Sequence, residues 1–163
     1  MNQKQYQKTL PRKRVSAGCL FFDRKKRLLV VNPTYKDTWE IPGGTVEKNE
    51  SPREAVIREI EEELGLVLEP QRLLCIDYSA ESDSRTESLQ FIFLGPRLTQ
   101  DQIAAIKLPL KELSEYRFLK PQKAVRLLNG KLRRRVQNCL TIINSSETLY
   151  LEGQQLVSSV VPG

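Results

Sequence analysis

Gly43-Gly-Thr-Val-Glu-Lys-Asn-Glu-Ser-Pro-Arg-Glu-Ala-Val-Ile-Arg-Glu-Ile-Glu-Glu-Glu-Leu-Gly-Leu66 joins a glycine turn to a short helix dense in carboxylates. Ser51 stands as N-cap, Pro52 sits where its missing N–H costs nothing, and Glu54 closes a capping box; Gly65 then ends the helix. At about 100° per residue, Val56, Ile57, Ile60 and Leu64 share one side, suited to packing on a sheet. Glu59, Glu62 and Glu63, spaced i, i+3, i+4, share a neighbouring arc and are expected to converge, while Glu54, Arg58 and Glu61 point elsewhere. On a solvated surface such neighbours cost only about 0.2–0.5 kcal/mol each. In a cleft, two charges about 6 Å apart at an effective dielectric near 20 repel by roughly 3 kcal/mol. Three ionised groups there require a cation or shifted pKa values.

The same stretch resembles the Nudix box, G-x5-E-x7-R-E-U-x-E-E-x-G-U with U a bulky aliphatic residue. Gly44, Glu50, Arg58, Glu59, Ile60, Glu62, Glu63, Gly65 and Leu66 fill the fixed positions, and Trp39-Glu-Ile-Pro-Gly43 is similar to the family's usual approach to the box. The resemblance implies an α/β class fold, an α/β/α sandwich around a mixed sheet. It also implies Mg²⁺-dependent hydrolysis of a nucleoside diphosphate linked to another group. Carried over by position, Glu59, Glu62 and Glu63 would be the principal metal ligands, joined by the Gly44 carbonyl, with Glu50 as an accessory ligand or hydrogen-bond partner. Arg58 would orient a glutamate through a charge-assisted pair. The general base would be Glu62 or Glu63 in the box, or Glu112 outside it. The segment Glu112-Leu-Ser-Glu-Tyr-Arg-Phe118 resembles the glutamate-bearing loop and strand downstream of the box, so Glu112 or Glu115 would approach the metal from the opposite wall. Homodimers are common in the resembled family.

Composition supports the same class of chemistry. The 163 residues, 39% hydrophobic and 28% charged, suit one globular domain over residues 14–163 behind a polar, aperiodic N-terminal tail over residues 1–13. Cys19, Cys75 and Cys139 are far apart and lack C-x-x-C spacing, which argues against a zinc ribbon or disulfide framework and for reduced, buried thiols. The chain has no histidine, which excludes Ser-His and Cys-His nucleophiles and histidine-bound zinc. An oxygen-only donor set suits Mg²⁺ or Mn²⁺. Bridging a pyrophosphate, such a cation neutralises charge developing at phosphorus and acidifies a bound water, so the reaction class is phosphoanhydride hydrolysis. No stretch is apolar enough for a membrane span or a signal peptide, and the cytoplasm is the expected compartment.

Outside the box, Arg14–Phe22 and Leu28–Val31 read as a hairpin across the charged turn Asp23–Arg27. The loop Asn32–Asp37 delivers Trp39, expected as a cleft-lining, substrate-binding aromatic, with a core plug as the alternative. Arg72–Ser79 and Ser88–Leu94 alternate as two further strands, joined by the polar specificity loop Ala80–Glu87, whose Arg85 is a candidate partner for a substrate phosphate. A capped turn over Thr99–Ile106, a strand over Tyr116–Leu119, helices near Pro121–Asn129 and Leu132–Ile143, and a terminal hairpin over Leu149–Val157 follow. Lys131, Arg133, Arg134 and Arg135, with the basic tail, supply much of the net +6. They read as a solvated helix end near a favourable dipole, or secondarily as a polyanion site. Three functions stay open: a pyrophosphohydrolase acting on a small nucleotide, an RNA 5′-end pyrophosphohydrolase, which is less favoured, and a nucleotide-sensing module without turnover.

Overall fold

The computed structural model describes residues 1–157. Strand alternation sets up two cores. Along β1 (Arg14–Leu20) and the residue after it, Ala17, Cys19 and Phe21 face one side and Leu20 the other; in β2 (Leu28–Pro33), Leu29 and Val31 join the first side, Leu28 and Val30 the second. The first side packs against Ala55, Val56, Ile60 and Leu64 of α2 (Pro52–Leu64). The second packs against Val125 of α4 (Pro121–Leu127) and against Val136 and Cys139 of α5 (Gly130–Thr141). Helices thus cover both faces of the sheet, in the α/β arrangement expected.

The main sheet also contains β3 (Gly43–Thr45), β4 (Arg72–Ser79), β5 (Ser88–Leu94), β7 (Leu149–Glu152) and β8 (Gln155–Leu156), in the order β3-β1-β5-β4-β7-β8. It is mixed: β1 runs parallel to β5 and β4 parallel to β7, with the other pairs antiparallel. The terminal hairpin forms as expected and closes one end. A short α3 (Gln100–Ala104) carries the expected cap at Thr99. Among the described residues no helix is long and apolar enough to cross a membrane.

Three expectations are corrected. The turn after β1 forms, with Asp23 Oδ1 accepting the Lys25 and Arg27 amides and Phe22 making an antiparallel bridge with Leu28, but the expected hairpin stops at that single bridge. Both edges of β1 are occupied, by β3 and β5, and β2 pairs instead with β6 (Leu113–Leu119) in a separate two-stranded sheet. The tail is not wholly aperiodic: α1 (Gln3–Thr9) is capped by a box between Asn2 and Gln5, although none of its residues is buried. Gly43–Thr45, read as a glycine turn, is a strand against β1. Gly43 has φ +146°, and a Cβ there would collide with the Ala17 carbonyl and Gly18 Cα, so only glycine permits this approach.

Candidate active site

The buried face of α2 fixes its rotation. Ser51 and Glu54 form the capping box, and Gly65, at φ +69°, ends the helix. With Val56, Ile60 and Leu64 held in the core, the next arc presents its carboxylates to β3.

Arg58 organises that arc. Its guanidinium donates to Glu50 Oε1 (2.8 Å) and Oε2 (3.1 Å), to Glu59 Oε1 (2.9 Å), to Glu62 Oε2 (3.1 Å) and to the Thr45 carbonyl (3.1 Å). These bonds hold the Glu50 carboxyl below the usual range. Glu63 lies deeper, where its Oε2 accepts the Gly43 amide (3.0 Å). Burial pushes its carboxyl up to about 8, the Gly43 bond notwithstanding, and the charges of Glu59, Glu40 and Glu112 add to the shift. Burial also raises Glu59, against the pull of Arg58.

The expected convergence of Glu59, Glu62 and Glu63 is therefore only partial. Glu62 is on the outer side, with its side chain 57% exposed and held by Arg58. Among the described residues, no three acidic side chains meet at one point as they stand. Like charges spread apart, and Arg58 draws two of them to itself. The second wall is Glu112, whose backbone carbonyl accepts the Thr34 amide and whose charge acts on both Glu63 and Tyr35. Glu115 is instead engaged by Arg117 at 2.6 Å.

Sequence reasoning placed Tyr35 only as part of a loop expected to read the base or leaving group, and assigned no role to Glu40. Partial burial, then the charges of Glu40, Glu63, Glu112 and Glu59, raise the Tyr35 hydroxyl of this largely exposed residue. Glu40 pairs with Lys36, whose ammonium also lies 5.3 Å from the Tyr35 ring centroid. The available signal for Glu40 was its position between Trp39 and the glycines.

Trp39 is corrected from a substrate-binding aromatic to a core plug. It is 9% exposed, packs in the core with Leu128 and is covered by the Arg117 guanidinium 4.7 Å from its ring centroid. Its neighbours Thr38 and Glu40 line the cleft instead. That cleft, of about 740 Å³, runs from Gly43–Thr45 to the loop bearing Arg85 and to the start of α5.

The basic run on α5 also divides. Arg133 caps the end of α4 by donating to the carbonyls of Val125, Arg126 and Leu128. Arg135 is buried and paired with fully buried Asp77 at 2.8 Å. Lys131 and Arg134 line the cleft. Because α5 starts at Gly130, these cations occupy its N-terminal turns, where the helix dipole disfavours positive charge, contrary to the favourable end expected.

A mixed sheet covered by helices on both faces, with a carboxylate helix anchored on a Gly-Gly strand, defines the class. The chain belongs to the Nudix family, whose domain model matches residues 12–138. Nudix hydrolases generally use divalent metals. The chain is 36% identical over 61 residues to an RNA pyrophosphohydrolase of Hydrogenovibrio crunogenus, covering 37% of each chain. It is 31% identical over 91 residues to the Mus musculus diphosphoinositol polyphosphate phosphohydrolase 3-alpha, covering 55% of each. The match thus spans about half the length, or less, of these curated relatives. The solved MutT protein of Methanosarcina mazei Go1 shares the fold, with a TM-score of 0.68 at 22% identity over 84% of this chain and 100% of that one.

Proposed function

We propose that this protein is a Mg²⁺- or Mn²⁺-dependent pyrophosphohydrolase that cleaves a phosphoanhydride bond in a nucleoside diphosphate linked to another group. The observation that carries this is the partly buried Glu63, whose Oε2 accepts the Gly43 amide and which feels the charges of Glu59, Glu40 and Glu112, directly behind the Gly43 and Glu40 that line a cation-rich cleft. The donor set fits such a cation because it is all oxygen. Gly44 also fits: a Cβ there would fall on the Glu59 carboxylate, so the bare glycine lets that carboxylate lie against the strand.

Glu59, Glu63 and the Gly44 carbonyl would hold the cation, with Glu62 joining after turning from Arg58. When bound, it would supply charge neutralisation at phosphorus and an acidified water. Arg58 orients Glu59 and ties the helix to Glu50 and the Thr45 carbonyl. Glu63 is committed to the Gly43 amide, which leaves the exposed Glu62, or Glu112 across the site, to accept the proton of the attacking water. Arg85, which lines the cleft, would meet a substrate phosphate. Three buried free thiols fit a reducing compartment, in line with action in the cytoplasm. A triphosphorylated RNA end is the second reading, favoured by the cationic cleft and by the relative named for that activity.

Screening nucleoside diphosphate derivatives with Mg²⁺ and with Mn²⁺, and identifying both products, tests the proposal. Cleavage of at least one compound between phosphorus atoms, only with a divalent cation, is expected. Absence of turnover across the panel would contradict it.

A further inference from the structure

We propose that the far end of the cleft is a second anion subsite, which takes additional phosphate groups carried by the non-scissile half of a compact small-molecule substrate. The term substrate rests on the function proposed above; the anion subsite itself does not.

Six cations line the cleft, Arg14, Lys36, Arg85, Lys131, Arg134 and Arg135, against one carboxylate, Glu40. Lys36 is taken by Glu40, and Arg135 by Asp77. Among the described residues, no carboxylate pairs with Arg14, Arg85, Lys131 or Arg134. Asn129 and Gly130 bring the N-terminus of the twelve-residue α5 to the same cleft, and its first turn holds no acidic residue. A helix start and uncompensated cations facing one space repel each other until an anion enters.

The wall is also built from beneath. Arg134 donates to Gln154 Oε1 at 3.1 Å. Gln154 is itself buried, and its backbone amide donates to Asp77 Oδ1 at 3.0 Å. Asp77 in turn holds Arg135. The terminal hairpin thus positions Arg134 through a buried network.

One pyrophosphate at the acidic end leaves the four cations of the far end unmatched, so the ligand brings further anionic groups to them. A compact ligand fits better than an RNA strand. The volume is in the small-ligand range. Phe91 is the only aromatic among the lining residues, so the cleft lacks the stacking platforms that hold single strands. Arg133 and Arg135 are consumed inside the fold, which interrupts the basic track along α5.

Calorimetric titration of inorganic tripolyphosphate into the full chain, with a chelator excluding divalent cations, tests the subsite without the metal site. The wild type is expected to bind. Arg134→Gln and Lys131→Gln should each weaken binding by about tenfold while staying folded by circular dichroism, and Arg97→Gln, an exposed cation outside the cleft, should leave binding unchanged. No binding by the wild type, or equal weakening in all three variants, would overturn the proposal. So would a triphosphorylated oligonucleotide that binds at least tenfold tighter than tripolyphosphate with affinity growing with length, since that identifies an RNA track. Selective loss in the two cleft variants without turnover of any nucleotide supports the subsite and overturns only the hydrolase reading.

Discussion

Glu63 is partly buried, enough to resist ionisation, and feels the charges of three other carboxylates. Its folded-state value of about 8, against an ordinary 4.5, means that the native protein binds this proton more tightly than the unfolded chain does. The resulting stability is complete below about pH 4.5, declines as the pH rises, and is lost by about pH 8. Each unit of that window is worth at most about 1.4 kcal/mol. The metal-free protein should therefore melt at progressively lower temperature across this range, and Glu63→Gln should flatten the decline. Calorimetric scans as a function of pH check this, and an undiminished slope in the variant would refute it. At Gly43 the constraint is steric: Gly43→Ala should destabilise by about 1–3 kcal/mol in a urea titration, because its φ and its contact with β1 both exclude a side chain. The chain's pattern announced the box residues one by one, since each fixed position is a local matter of spacing. It did not announce Glu40, Tyr35 or the burial of Trp39, which depend on where distant segments such as Glu112, Arg117 and Leu128 come to rest.

At the scale of elements, α2 was legible from end to end, because its cap, buried stripe and terminating glycine are all local signals. The segment carrying Arg133, Arg134 and Arg135 was not. Successive helical positions turn by about 100°, so three adjacent arginines face three environments: a helix end, the cleft and a buried aspartate. Asp77→Ala should cost about 3–5 kcal/mol by leaving Arg135 buried without its counter-charge. Arg133→Ala should cost about 1–3 kcal/mol by uncapping α4. Both losses are measurable by chemical denaturation, and Arg133→Ala should leave tripolyphosphate affinity intact. The missed separation of β1 from β2 has a related cause: a turn signal joins two strands in sequence but does not say that both edges of the first are already occupied.

Across the whole molecule, the two cores hold the parts of the site from opposite sides. One seats α2 and its carboxylates on β3; the other seats α4 and α5, whose N-terminal cations face the same cleft. The sheet between them sets the α2 carboxylates behind the Gly43–Thr45 strand, which borders a cation-lined cleft of about 740 Å³. That polarity is the physical basis for reading the protein as a metal-dependent enzyme on a phosphoanhydride. Its most direct test is turnover of a cleaved nucleoside diphosphate derivative by the wild type, Glu62→Gln and Glu63→Gln, with and without Mg²⁺, each variant first shown to be folded by circular dichroism. Turnover by the wild type only with the cation, reduced by about a hundredfold or more in each variant, is predicted. Full turnover by both variants, or wild-type turnover undiminished in a chelator, would contradict the account.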